Sequence, residues 1–167
     1  MNRQGFMMVE AALAVVILSV GLVALGPAFV MTIKASKGAE QIKVATQLSV
    51  ELLEEIRLHR WDEGTPTPSA AISQGSATLG IDSGESAADK TTFDDIDDFN
   101  GWTENPPKDP MMQSLANFSG YSRSVTVRYV DSTLAVSAVP TDYKQVTACT
   151  QPPKGVSVCL DTLLTNR

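Results

Sequence analysis

The chain has 167 residues, enough for one domain or one domain with an extension. Its formal charge is −6, unevenly spread: residues 1–60 carry 6 basic and 5 acidic side chains, residues 61–167 carry 7 and 14. No basic patch with interleaved aromatics is present, so nucleic acid is not an expected partner. One histidine, His59, and two cysteines, Cys149 and Cys159, exclude zinc sites of four cysteines, of two cysteines with two histidines, or of three histidines. Phosphate-binding glycine loops are absent. A Ser-His-Asp or Cys-His site could use only His59, which stands in the charged run EIRLHR, and composition points away from an enzyme.

Residues 11–33, AALAVVILSVGLVALGPAFVMTI, form an uncharged run between Glu10 and Lys34. Such a run exceeds the ~20 residues that span a bilayer core as a helix. A signal-peptide core would be shorter, about 7–15 residues, and no clear A-x-A cleavage site follows this run. A buried core helix would be apolar on every face only in a larger domain. A membrane-inserted helix is therefore predicted. Positive charge does not orient it, because Arg3 lies on one side and Lys34, Lys37 and Lys43 on the other. Bulk does: everything that could fold follows the span. Gly21, Gly26 and Pro27 weaken the helix in mid-span, and Pro27 removes the hydrogen bond to the carbonyl of Val23.

The start of the segment reads Gly5-Phe6-Met7-Met8-Val9-Glu10, with Arg3 upstream. It resembles the prepilin cleavage and methylation motif of the type IV pilin superfamily, which includes type IV pilins, MSHA-type pilins and type II secretion pseudopilins. The family pattern is a short basic leader ending in Gly, an aromatic first mature residue, and Glu at the fifth mature position. The resemblance implies cleavage between Gly5 and Phe6, N-methylation of Phe6, and assembly roles for Glu10 and for Pro27, which falls where many members have a kinking proline. Gly5 suits a peptidase site that takes the backbone extended and without a side chain. Glu10 is a costly carboxylate at the edge of an apolar helix. Either it snorkels to the interface or it pairs with the freed amine of Phe6 on a neighbouring subunit; the resemblance favours pairing.

Residues 34–60 continue as an amphipathic helix. Ala35, Ala39, Ile42, Ala45, Ser49, Leu52 and Ile56 recur at three and four, widened by Leu48 and Leu53. The helix from 6 to 60 would be roughly 80 Å long at 1.5 Å per residue. Residues 62–92 are rich in Gly, Ser, Ala, Thr and Pro and read as a long loop.

Next comes TFDDIDDFNGW, residues 92–102, inside a stretch, 82–109, that holds 9 of the 14 acids following residue 60. Asp94, Asp95, Asp97 and Asp98 invite a calcium reading, since calcium takes several hard oxygen ligands. The EF-hand spacing fails, because it would put Ile96 at the first ligand position. The alternative is a solvated turn with Phe93, Ile96, Phe99 and Trp102 packing inward. No other metal or cofactor is expected. This string also resembles one in MSHA-type minor pilins.

Residues 121–131 alternate as a strand, with Val125, Val127 and Tyr129 on one face. Residues 134–139 read as a short strand or an extended link. Residues 143–150 and 156–163 form two more strands. A three-residue loop, Pro153-Lys154-Gly155, would put Gly155 in the left-handed position of a bulged type I turn. That register sets Cys149 directly opposite Cys159 on the outer face, with Val146, Ala148, Val156, Val158 and Leu160 facing inward. The opposed pair reads as a disulfide rather than two buried thiols.

The expected fold is α+β: a long N-terminal α-helix, transmembrane in its first half, packed on a small antiparallel β-sheet, as in type IV pilins. The segments are a leader (1–5), a transmembrane half-helix (6–33), an amphipathic half-helix (34–60), an acidic loop region (61–109) and a sheet region (110–167). The resemblance implies a structural minor pilin or pseudopilin without catalysis, in the inner membrane with its C-terminal part in the periplasm, then in a filament. Its partners would be other pilins or pseudopilins, prepilin peptidase, the inner-membrane assembly platform and membrane lipid. A type II secretion pseudopilin, or a filament-tip adhesin using residues 62–109, remains an alternative.

Overall fold

The structure is a computed structural model. It describes residues 3–63, 75 and 78–166, with side chains from residue 7 onward. Two compact units, residues 1–40 and 41–167, divide the chain.

The first unit is helical throughout its described residues. It is the N-terminal part of helix α1, Arg3–Ile56, which contains Pro27. Residues 7–37 are exposed on every face. The helix is long and apolar enough to cross a membrane, with a mean hydropathy of 2.5 in its most apolar window and none of that window buried. Burial of the side chains therefore does not explain the apolar composition, as it would for a core helix.

The second unit begins inside α1 and adds an antiparallel sheet of four strands: β1 Thr103–Glu104, β2 Ser122–Tyr129, β3 Tyr143–Gln151 and β4 Val158–Thr165. The sheet order follows the chain, β1-β2-β3-β4, so each strand pairs with its sequence neighbour. The α+β expectation holds. In α1 the buried residues are Ala45, Leu48, Ser49, Leu52, Leu53 and Ile56. The upper part of the predicted stripe is not covered: Ala35 and Ala39 are exposed, and Ile42 is 50% exposed. α1 closes at Ile56 rather than Arg60. Leu58 and His59 donate to carbonyls three residues back, and Arg60 instead forms a parallel bridge to Asp95.

The alternation of β2 and β3 is that of strands with one covered face. Arg123, Val125, Val127 and Tyr129 are buried on β2; Lys144, Val146, Ala148 and Thr150 are buried on β3. Val127 pairs with Val146 and Val125 with Ala148. These four side chains meet Leu52, Leu53 and Ile56 from α1 and Phe93, Ile96, Phe99 and Trp102 from the acidic turn in one core. Phe93 sits edge-on to both Phe99 and Trp102, with centroids 5.0 and 5.2 Å apart. The four apolar residues expected to pack inward thus do so.

The β3–β4 register is the predicted one, with Cys149 opposite Cys159 and Ala148 opposite Leu160. The loop is longer than three residues, because the ladder stops at Thr150 and Val158. Gly155 does take a positive φ of 110°, and its carbonyl accepts from Gln151 Nε2 at 3.1 Å. Val156, expected to face inward, lies in this loop and is 75% exposed. Residues 134–139 form no strand; their sheet-like contact is a single bridge, Val130 to Val136. β1 has no counterpart in the sequence reading, since two residues carry no alternation.

Candidate functional site

The residues singled out in the sequence fall into three places. Gly5 and Phe6 lie in the first turns of α1, with side chains outside the described residues. Glu10 and Pro27 follow on the same helix, both exposed. The uncharged stretch 11–33, exposed on every face, is a larger apolar surface than a water-soluble monomer usually leaves uncovered.

The cysteines are bonded to each other, Cys149–Cys159, closing a loop of sequence separation 10. Cys149 is half-buried and Cys159 exposed, on the face opposite Val146 and Ala148. The bridge therefore staples the last hairpin without entering the core.

The acidic turn is the third place, and here the solvated-turn expectation is corrected. Asp95, Asp97 and Asp98 are each at most 1% exposed. Three features pull them inward. Phe93, Ile96 and Phe99 enter the core and drag the intervening carboxylates with them. The backbone then folds onto those carboxylates: the amides of Asp94 and Asp95 both donate to Asp98 Oδ2 at 3.0 Å, and the amide of Asp97 donates to Asp95 Oδ1 at 2.8 Å. Finally, the Arg60 backbone clamps the turn, donating to the Asp94 carbonyl at 3.3 Å and accepting from Ile96 at 3.0 Å.

Lys144 supplies the counter-charge for part of this cluster. Its Nζ lies 2.7 Å from Asp97 Oδ1 and 3.0 Å from Asp62 Oδ2, and it donates to the Trp61 carbonyl. The ammonium also sits 4.8 Å above the Trp61 ring. Tyr129 donates its hydroxyl to Asp62 Oδ2 at 3.2 Å. Burial, then the hydrogen-bonded Asp97 carboxyl, pushes the Asp95 carboxyl well above the usual carboxylate range. Burial, then the adjoining Glu85, pushes Asp98 up in the same direction.

A second buried network joins four segments. Glu104 of β1 accepts from Arg123 Nε at 2.7 Å, from Trp102 Nε1 at 3.1 Å and from the Lys108 amide at 3.0 Å, and pairs with Lys90 Nζ at 2.8 Å. Lys90 also reaches Glu55 of α1 at 2.9 Å, and Arg123 reaches the Leu48 carbonyl at 3.2 Å. Sequence reading missed this network and Lys144. A trace was available: Arg123 and Lys144 occupy the same alternation phase as Val125, Val127, Val146 and Ala148.

His59 is packed edge-on to Phe99, with centroids 4.8 Å apart, and its Nδ1 lies 3.1 Å from the Glu55 carbonyl oxygen. That is the setting of a half-buried structural side chain.

Comparison with protein-family models, curated proteins and solved structures gives no match for this chain.

Proposed function

We propose that the chain is a structural subunit of a type IV pilin-like filament, a minor pilin or pseudopilin of the MSHA-like kind. One observation carries the reading. A single helix, Arg3–Ile56, is bare over residues 7–37 and uncharged over 11–33, and its last turns are covered by an antiparallel sheet. A bare apolar helix needs lipid before assembly and neighbouring helices after it. The prepilin-like residues Gly5, Phe6 and Glu10 stand at its start, where a peptidase working at the membrane surface would meet them.

In this reading prepilin peptidase cuts between Gly5 and Phe6, and the new amine is methylated. Glu10 then meets the amine of Phe6 on a neighbouring subunit. That pairing cancels two charges inside an apolar bundle, where either charge alone would cost several kcal/mol. The folded unit carries no catalysis and is held rigid by the disulfide and the two buried charge networks. Assembly is the work of an inner-membrane platform, and the folded unit lies in the periplasm.

Mass analysis of the mature N-terminus tests the class. The expected product begins at N-methylated Phe6; retention of Met1 in assembled filaments, or cleavage beyond residue 30, would overturn it. Glu10→Ala should still insert into the membrane, since it removes a charge, but should enter filaments slowly or not at all. Normal assembly of that variant would mean that Glu10 only snorkels.

A further inference from the structure

We propose that Glu85, Asp94, Asp95 and Asp98 form a calcium-binding site at the solvent edge of the acidic turn. Asp94, Asp95 and Asp98 each offer a carboxylate oxygen, and these lie within 4.8 Å of one another. Glu63, Glu85 and Asp94 form a second such group, with Asp94 common to both. Calcium–oxygen distances of about 2.3–2.6 Å allow two ligand oxygens to lie up to roughly 5 Å apart across one ion. Within each group the spacing is therefore that of oxygens that a single ion can gather, and Asp94 stands between the two.

The acids alone would not carry the assignment, since clustered carboxylates are common. The unpartnered oxygens carry it. Asp95 Oδ2 and Asp98 Oδ1 have no hydrogen-bond partner, although Asp95 is 0% and Asp98 1% exposed. Buried polar atoms are normally paired, and a buried carboxylate oxygen facing other carboxylates is among the costliest exceptions. Among the described residues, Asp95, Asp98 and Glu85 form no ion pair. Arg60 is spent on Asp94 at 3.3 Å, and Lys144 is spent on Asp62 and Asp97. A divalent cation would supply the missing charge and the missing partners together.

The geometry also revises which acids are ligands. Asp97, one of the four aspartates that the sequence brings together, gives its Oδ1 to Lys144; its Oδ2 is also buried without a partner, but Asp97 groups with Asp62 and Asp95 on the wholly buried side, around Lys144. Glu85 joins from the preceding loop, where its Oε2 holds the Asp82 amide at 2.9 Å and its Oε1 the Asp94 amide at 3.3 Å. Asp94 and Glu63 are exposed and Glu85 is half-buried, which leaves an entry for the ion. An all-carboxylate set of unequal depth suits calcium. Zinc prefers nitrogen and sulfur ligands, and magnesium demands near-ideal octahedral geometry and keeps most of its water. Bound there, the ion would pin the loop around Glu85 to the turn that covers the core. The site does not depend on the filament reading.

The test uses the full chain in detergent micelles, stripped with EGTA and titrated with CaCl2. Calorimetry should show saturable binding, and the melting temperature should rise by roughly 5 °C or more at saturation, with MgCl2 giving far less. Asp98→Asn removes a buried ligand and is at risk of misfolding. Asp94→Asn and Glu85→Gln, nearer the surface, keep the fold while weakening calcium binding about tenfold or more. Absence of binding heat and of a thermal shift in the wild type would overturn the site. So would Asp94→Asn and Glu85→Gln binding calcium as the wild type does, or stabilisation by mild acid with none by CaCl2, which would assign the charge balance to protons.

Discussion

Glu104→Ala isolates the buried network that ties β1 to β2, α1 and the segment around Lys90. The carboxylate side chain is wholly buried, as is Lys90, and the Arg123 side chain is 1% exposed. Truncation removes the partner of Arg123 Nε, of Lys90 Nζ, of the Trp102 indole N–H and of the Lys108 amide in one step. Lys90 retains Glu55 and the Lys108 carbonyl, and Arg123 retains the carbonyls of Leu48 and Lys108. Neither cation keeps Glu104's charge. Breaking a buried ion pair from one side costs about 3–5 kcal/mol, against a typical total stability of about 5–15 kcal/mol. The variant should therefore lose about a fifth of its stability or more. Glu54→Ala is the control: its partner Arg57 is exposed, with side-chain exposures of 45% and 61% across the pair, and its loss should cost at most about 0.5 kcal/mol. Denaturant unfolding followed by tryptophan fluorescence measures both, because Trp102 is in the network. The pH response adds a second reading. Burial by itself would raise the Glu104 carboxyl, but Arg123, Lys90 and the Lys108 amide outweigh it and hold it below its ordinary value of 4.5. A lowered folded-state value contributes stability that is present above about pH 4.5 and is lost as pH falls through that value. Wild type should thus shed more stability than Glu104→Gln on acidification from pH 5 to 3. A Glu104→Ala cost within about 1 kcal/mol of the Glu54→Ala cost would refute the reasoning.

Further outcomes follow from the other buried contacts. Lys144→Met keeps much of the volume and takes the ammonium away from Asp62 and Asp97; it should destabilise by about 3 kcal/mol or more in the same assay, and a loss under about 1 kcal/mol would contradict the buried pairing. Replacing Cys149 and Cys159 together by serine should lower stability toward the low side of about 2–4 kcal/mol, because the closed loop is short, while far-ultraviolet circular dichroism stays unchanged. Two reactive thiols in the unreduced wild-type protein after denaturation would contradict the bridge. Gly155→Val should cost about 1–2 kcal/mol, since a β-branched residue is strained at φ 110°; an unchanged melting temperature would show that the loop relaxes freely.

What the sequence determined by itself was local and periodic. The uncharged run and the following three-four repeat define α1, because a helix needs only its own backbone bonds and one consistent face. Alternation marked β2, β3 and β4, and the register that opposes Cys149 and Cys159 came out as expected although the three-residue loop behind it is longer in the fold. Phe93, Ile96, Phe99 and Trp102 were legible as an inward set by their spacing. Only the tertiary structure decided the fate of the charges. Lys144 meets Asp97 and Asp62 across sequence separations of 47 and 82, and Arg123 meets Glu104 across 19. Alternation puts Arg123 and Lys144 in the buried phase, but which counter-charges distant segments bring to them is information that no local pattern carries. The same reason hid β1, whose two residues are a strand only because β2 lies beside them. It also turned an acidic string that looks solvated into a buried cluster with oxygens left to fill.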